Sequence, residues 1–353
     1  MFTLKSFLYA AFAAECLFLD AAKALPSTVA PPSSNSIQTL WQFPNNTWAE
    51  NLAVRSNGDL LVTLLSAPQV YQVNPRQPKT PALVHTFPNA TGALGIVEYE
   101  QDVFAVVVGN WTIATFLTVN GSYSVWKVDM RGFKSDSNGH VTKPAVVSKI
   151  TDIPEADFLN GITLINEGSR DALIADSVLG VVWKLNLDTA EYSIVLDSPL
   201  MKVVPGQIQL GINGVHTRDG FLYFTNSFQG LFAKVAIDLC GNAIGPYTLI
   251  AETGVSDDFA FDKSGNAYIA QDPSDALERV TPAGKVNVLV GNVNNTIVEG
   301  ATAAQFGILP FDESILYVTT NGGLAGRVPG TDVVGGKILA INLPNLLKSD
   351  GIH

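Results

Sequence analysis

Cysteine is close to absent from this chain. There are two, Cys16 and Cys240, and Cys16 falls in an N-terminal targeting segment. The mature chain therefore has no intrachain disulfide, and its fold must be held by packing and strand pairing. Cys240 has no basic neighbour in sequence and reads as a small buried or turn residue rather than a nucleophile. Charge is scarce too, at 15% of residues, and 21 Lys and Arg stand against 32 Asp and Glu for a net charge of −11. Nucleic acid and anionic membrane both need a basic patch, so neither is an expected partner. Four histidines are present. His85 reads as outer strand, His140 as a polar turn and His353 as the tail; His216, early in a strand, is the one with a candidate role as a base. No Gly-x-Ser-x-Gly elbow or Ser-His-Asp order occurs. No phosphate-cradling glycine loop and no dinucleotide fingerprint occurs either, so no organic cofactor is expected. A membrane span is also missing: the apolar stretch from Phe7 to Leu19 is too short and is broken by Glu15. With Lys5 before it and Ala22-Lys23-Ala24 after it, residues 1–24 read as a signal peptide. Residues 25–36, rich in Pro and Ser, read as a flexible leader, and 37–347 as the folded domain. Five Asn-x-Ser/Thr sequons, at Asn45, Asn89, Asn110, Asn120 and Asn294, fit a secreted or secretory-lumen glycoprotein.

What the chain does have is a repeated sentence. Asn213-Gly214-Val215-His216-Thr217-Arg218-Asp219-Gly220-Phe221-Leu222-Tyr223-Phe224-Thr225-Asn226-Ser227 reads as strand, tight turn, strand and a loop of small polar residues. Variants begin at Glu50, Leu94, Asn160, Asp257 and Ala301, at steps of 44, 66, 53, 44 and 44. A period of about 40–50 residues built from strands predicts an all-β fold, a β-propeller with four strands per blade. Six copies predict six blades. The C-terminal copy lacks its fourth strand, and Ile37 to Phe43 is expected to supply it and close the ring.

In a propeller the first strand of each blade lines the central channel, so a polar residue just ahead of it is expected at the tunnel mouth. The six occupants are Glu50, Leu94, Asn160, Asn213, Asp257 and Ala301. Four of them offer oxygen. Two carboxylates and two amide carbonyls suit a hard cation such as Ca2+, and the ring holds no Cys or His for Zn2+ or Cu2+. Glu50, Asn160, Asn213 and Asp257 are therefore the candidate metal ligands. The alternative is that they only cap loop backbone, with Asn160-Gly161 and Asn213-Gly214 serving as turns.

The loops between second and third strands supply the rest of the mouth, where binding residues concentrate. Those of blades 2 and 6 are long. The candidate substrate-binding residues are Trp111, Phe158, Ser177, Asn226, Phe228, Gln271, Asp272 and Asn321. Phe116, Leu117, Leu179 and Leu324 join the candidate wall. Such a wall predicts a hydrophobic small-molecule substrate. A glycan at Asn110 or Asn120 would crowd the blade 2 loop, so at least one of the two is expected to be bare.

On Glu50, Asn160-Gly161, Asn213-Gly214 and Asp257 the chain resembles the gluconolactonase and senescence-marker-protein family. Asp257 to Asp262 and Gly265-Asn266-Ala267-Tyr268 match that family's fifth blade. Asn51-Leu52 departs from the Gly-Pro usual after the Glu. The phrases Glu50-Asn51-Leu52-Ala53-Val54-Arg55, Leu61-Val62-Thr63-Leu64-Leu65 and Gly121 to Asp129 are similar to fungal secreted propellers. Some members of that group are hetero-Diels–Alderases that make tropolone sesquiterpenoids. They join an ortho-quinone methide, formed by loss of water, to an alkene of humulene. The resemblance implies a pericyclase, in which a bound cation or a side chain such as Asn226, Gln271 or Asn321 would stabilise the developing oxyanion; Glu50 and Asp257 are the catalytic candidates of the hydrolase alternative, activating water or attacking directly. A Ca2+-dependent lactonase or hydrolase, and a ligand-binding propeller without catalysis, are the alternatives. The oligomeric state is not legible.

Overall fold

The computed structural model describes residues 36–349. The signal peptide with Cys16, the leader up to residue 35, and His353 lie outside the described residues.

Six four-stranded antiparallel sheets follow one another along the chain. Blade 1 runs Ala49–Val54, Leu60–Leu64, Gln69–Val73, Ala82–Thr86. Blade 2 runs Gly92–Glu100, Val103–Gly109, Ser124–Asp129, Val146–Asp152. Blade 3 is Leu159–Leu164, Asp171–Asp176, Val181–Asn186, Tyr192–Asp197. Blade 4 is Ile212–Arg218, Phe221–Asn226, Leu231–Ala236, Thr248–Glu252. Blade 5 is Ser256–Phe261, Ala267–Gln271, Ala276–Val280, Val286–Gly291. Blade 6 takes Ala301–Phe306, Ile315–Thr320 and Lys337–Asn342 from the C-terminal end, and Ile37–Gln42 pairs antiparallel to Lys337–Asn342 as its fourth strand. The first strands contact one another in the cyclic order 1-2-3-4-5-6-1, so the chain is a six-bladed propeller closed by its N-terminal strand.

Period-two alternation explains why blades stack. Val103, Ala105 and Val107 of blade 2 pack toward blade 3, while Phe104, Val106 and Val108 pack toward blade 1. Both faces of the strand are covered, which is why Val103 to Val108 is apolar without a break. Each of the other four junctions has its own cluster: blades 3–4, 4–5, 5–6 and 6–1. Phe104 is fully buried, and truncation to Ala would cost about 3–5 kcal/mol.

The irregular steps have physical causes. The 66-residue step holds two small hairpins, Trp111–Thr112 with Leu117–Thr118 and Lys134–Ser135 with Val141–Lys143. The 53-residue step holds the connection after blade 3, which carries a 3-10 turn at Pro199–Met201. Cys240 is exposed in a turn held by Asp238. The chain leaves blade 6 as a short helix, Leu343–Ser349.

Candidate active site at the propeller mouth

The hub residues do not precede their strands, as the sequence suggested; they lie inside them, at bulges. In blade 1, Ala49 pairs with Leu64 and Leu52 with Val62, so Glu50 and Asn51 together face Thr63. Leu94-Gly95, Asn160-Gly161, Asn213-Gly214 and Asp257-Asp258 are two-against-one bulges of the same kind. Blade 6 bulges at Thr302 rather than Ala301. A bulge turns a side chain out of the alternating pattern, here toward the hub.

Asn-Gly is accordingly not a turn in either blade. A Cβ on Gly161 would sit 2.6 Å from the Asn213 carbonyl oxygen, and one on Gly214 would sit 2.7 Å from Asp258 Cα. Glycine lets neighbouring bulges touch. Hydroxyls then satisfy the backbone groups that bulging leaves unpaired. Thr225 Oγ1 accepts from Gly214 N at 2.9 Å and donates to Asp257 O at 2.7 Å. Ser177 Oγ donates to Ile212 O at 2.6 Å, and Ser227 Oγ to Ser256 O at 2.7 Å. The three bonds to carbonyl oxygens cross from one blade to the next, while the one from Gly214 N stays within blade 4.

Glu50, Asn160, Asn213 and Asp257 all line one cavity of about 790 Å3, part of it open to solvent. Burial pushes Glu50 up to about 8; Asp272 and Asp258 add to the rise, and a 2.6 Å bond from Trp48 Nε1 opposes it. Burial and the charges of Glu50, Asp272 and Asp258 hold Asp257 well above the carboxylate range, and a hydrogen bond from Asn213 offsets part of this. The amide nitrogens of Asn160 and Asn213 donate to Ser177 and Ser227, which leaves each amide its carbonyl oxygen. Two carboxylates strained by burial and two amide oxygens fit a hard dication. Among the described residues no group of three or more His, Cys, Asp or Glu is arranged to hold a metal, so an ion here would need the amides.

Above the hub the wall is aromatic. Trp111 meets Trp48 edge-on at 5.4 Å, Phe116 at 5.8 Å, and stacks on Phe158 at 6.4 Å. Its indole donates to Leu65 O at 2.8 Å. Asp176, fully buried, accepts from Phe158 N and fixes that backbone. Phe228, Ile208, Leu210 and Pro273 complete the apolar side.

Of the substrate-binding candidates, Trp111, Phe158, Phe228 and Asp272 line the cavity. Ser177, Asn226, Gln271 and Asn321 do not; all four are fully buried behind it. Asn226 donates to Leu200 O and Lys202 O, bracing the loop after blade 3. Gln271 donates to Ser256 and Glu278, and Asn321 to Asp272. Leu117 is exposed and, with Leu179 and Leu324, lies off the cavity lining. His216 sits one layer below the hub residues, 3.0 Å from Asp258, which also takes Asn51 Nδ2. Sequence reasoning missed Trp48 and the Ile208-Gln209-Leu210 stretch. Trp48 stands just ahead of the first blade 1 strand, two residues before Glu50, and the extra length between blades 3 and 4 marked the other. Among the described residues no helix is long and apolar enough to cross a membrane.

Fold and site together define a six-bladed propeller with a polar hub beneath an aromatic mouth. Solved structures of the same fold include a luciferin-regenerating enzyme (13% identical, TM-score 0.61, 87% of this chain and 94% of that one). The calcium-binding protein regucalcin of Agrobacterium tumefaciens is another (14% identical, TM-score 0.60, 89% and 95%). No family model matches the chain. In sequence it is 30% identical over 324 residues to a Phoma protein named as a candidate hetero-Diels-Alderase, covering 83% of this chain and 90% of that one. A second protein so named, from Sarocladium schorii, is 28% identical over 336 residues, covering 83% and 80%. The chain belongs to this hetero-Diels-Alderase family.

Proposed function

We propose that the chain catalyses a hetero-Diels–Alder addition between a carbonyl-bearing heterodiene and an apolar alkene held in the mouth cavity. The observation that carries this reading is the pairing of an aromatic wall with a floor of buried carboxyls held in their neutral form. A wall of Trp48, Trp111, Phe116 and Phe158 suits two hydrophobic partners. Holding them in a reactive pose supplies on the order of 7–11 kcal/mol in the best intramolecular cases. The resemblance read from the sequence supports, as the proposed partners, a tropolone ortho-quinone methide and a humulene-type sesquiterpene.

The floor fits the step that makes the heterodiene. Glu50 protonates the hydroxymethyl oxygen, the C–O bond breaks and water leaves. The ring hydroxyl gives its proton to the Glu50–Asp257 pair, so the protein ends as it began. In the addition one C–C and one C–O bond form, and no oxidant or reductant is consumed. Purified protein incubated with the hydroxymethyl tropolone and humulene should give cycloadduct above background. No adduct, with or without added metal, refutes the proposal.

The four oxygen donors favour a second reading, a Ca2+-dependent lactonase. Glu50, Asn160, Asn213 and Asp257 would hold the ion, which when bound polarises a carbonyl. Lactone hydrolysis that survives both chelation and Asp257→Ala excludes it. For either activity we propose the secretory pathway as the setting, on the signal-like segment and the sequons.

A further inference from the structure

Among the described residues, seven other than glycine take a positive φ. Five are Asn or Asp, whose short polar side chains tolerate the left-handed region, and one is Ala190. The seventh is Phe116, at +52°, and it lines the mouth cavity. It closes the tip of the blade 2 hairpin, where its N–H donates to Thr112 O at 2.8 Å. The stem holds that tip in place. Thr91 Oγ1 accepts from Trp111 N and donates to Trp111 O, both at 2.9 Å. On the blade 3 side Thr118 Oγ1 donates to Asp157 Oδ1 at 2.8 Å. The stem thus overrides the backbone preference of a bulky residue, and a glycine would make the same turn without strain. What the strain keeps is a ring at the mouth. That ring meets Trp111 edge-on at 5.8 Å. Trp48, Trp111 and Phe158 are 5%, 8% and 6% exposed and are packed as core, whereas Phe116 is 36% exposed. Its open face gains burial when something apolar fills the cavity.

We propose that Phe116 is a specificity-determining residue: its ring closes the aromatic wall over the alkene partner and selects a sesquiterpene-sized hydrocarbon over a monoterpene-sized one. This rests on the reading that an apolar alkene is held in the mouth cavity. The three buried rings cover the deep end of such a ligand, and a short hydrocarbon is covered by them alone. Phe116, at the hairpin tip and the most exposed of the four, is the outermost ring. A longer hydrocarbon rises to it, and each carbon that meets the ring leaves water. No neighbour can stand in for it, because Leu117, next in the chain, lies off the cavity lining. A relaxed tip with glycine would keep the hairpin and leave the wall open at its rim. Strain held at a binding surface by a rigid frame is thus matched to the one wall residue with apolar surface still to bury.

The probes are humulene and myrcene, a sesquiterpene and a monoterpene, each competing with Nile red, a neutral dye that brightens in apolar surroundings. Phe116→Ala should weaken humulene about tenfold, the equivalent of roughly 55 Å2 of apolar contact. Myrcene should weaken by less than about threefold, so the preference for the larger hydrocarbon shrinks. Phe116→Leu keeps apolar bulk and should stay within about threefold of wild type for both. Phe116→Gly should bind as Phe116→Ala does but melt about 1–2 °C above it, because glycine relieves the left-handed backbone. That order is the reverse of what an unstrained position gives. A folded Phe116→Ala protein that keeps humulene affinity, or loses both hydrocarbons alike, overturns the proposal. So does a Phe116→Gly protein that melts below Phe116→Ala. Neither measurement needs turnover. The expected binding pattern without any cycloadduct sinks the pericyclase reading alone, and cycloadduct without the pattern sinks the Phe116 assignment alone.

Discussion

Replacing Glu50 with Gln should stabilise the protein at high pH and do nothing at low pH. Glu50 is 5% exposed and rises from 4.5 to about 8 on folding. Below pH 4.5 the folded and unfolded chains both hold the proton, so the group makes no difference. Between 4.5 and about 8 the unfolded chain releases it and the folded chain keeps it. Stability then falls by about 1.4 kcal/mol per pH unit. Over the window the ceiling is about 5 kcal/mol, and above about 8 nothing more is lost. Gln has the same shape, still accepts from Trp48 Nε1 and does not titrate. The gap between Glu50→Gln and wild type should open from near zero at pH 4.5 toward that ceiling at pH 8 in the presence of EDTA. With an unfolding entropy of about 0.65 kcal/mol/K for a chain this size, the ceiling is a Tm difference of about 7 °C. Melts followed by tryptophan fluorescence from pH 4.5 to 8.5 measure it. Added Ca2+ should close the gap by favouring the ionised form of wild type. A gap that does not change with pH, or a variant less stable throughout, refutes the electrostatic account of the hub.

Gly161→Ala should lower stability by about 1–3 kcal/mol, since its Cβ meets the Asn213 carbonyl of the next blade. Gly245→Ala meets only Ala236 Cβ at 3.6 Å and should be neutral or slightly stabilising, and urea unfolding of the pair compares them. Trp111→Leu loses three aromatic contacts and strands Leu65 O. It should cost about 2–4 kcal/mol and raise KM more than it lowers kcat, by melts and steady-state kinetics. Asn110 Oδ1 is buried without a partner, whereas Asn45, Asn89, Asn120 and Asn294 are exposed. Glycopeptide mass spectrometry of protein from a secretory host should find Asn110 bare and any glycans on the other four.

The propeller was legible because strand chemistry repeats. Each blade needs a turn between its first two strands, and Asp219-Gly220 or Ser264-Gly265 is visible without knowing the partner blade. The closing strand was legible by counting, since a blade with three strands exposes an edge that only Ile37–Gln42 can cover. The bulges were not legible. Asn-Gly carries the same local preference in a turn as in a bulge, and the deciding fact is the Asn213 carbonyl pressed against Gly161 from another blade. Blade lengths held more than was drawn from them: nine residues beyond the 44-residue step brought Ile208 and Leu210 to the mouth.

The same limit explains three of the four polar residues expected at the wall and found behind it, Asn226, Gln271 and Asn321. Asn160, Asn213, Asn226, Gln271 and Asn321 are all amides at the top of a blade, and local sequence treats them alike. What separates them is which partners arrive from elsewhere. Leu200 O and Lys202 O take both the attention and the hydrogens of Asn226. Gln271 gives its hydrogens to two side chains, the Ser256 hydroxyl and the Glu278 carboxyl. Asn160 and Asn213 meet hydroxyls instead, at Ser177 and Ser227, and keep their place on the cavity. Asn226, braced by two backbone carbonyls, stiffens a loop, whereas Asn160 and Asn213 stay at the hub with an oxygen to offer. Trp48 follows the same logic from the apolar side, because a residue outside the repeat becomes part of the site once its N–H reaches Glu50. Swapping Ser227 for Val therefore tests the distinction. It removes the acceptor for Asn213 Nδ2 and the donor to Ser256 O together. Loss should fall on the hub, read as altered pH dependence of the melt, while Asn226→Ala should loosen the loop after blade 3 and leave that pH dependence in place.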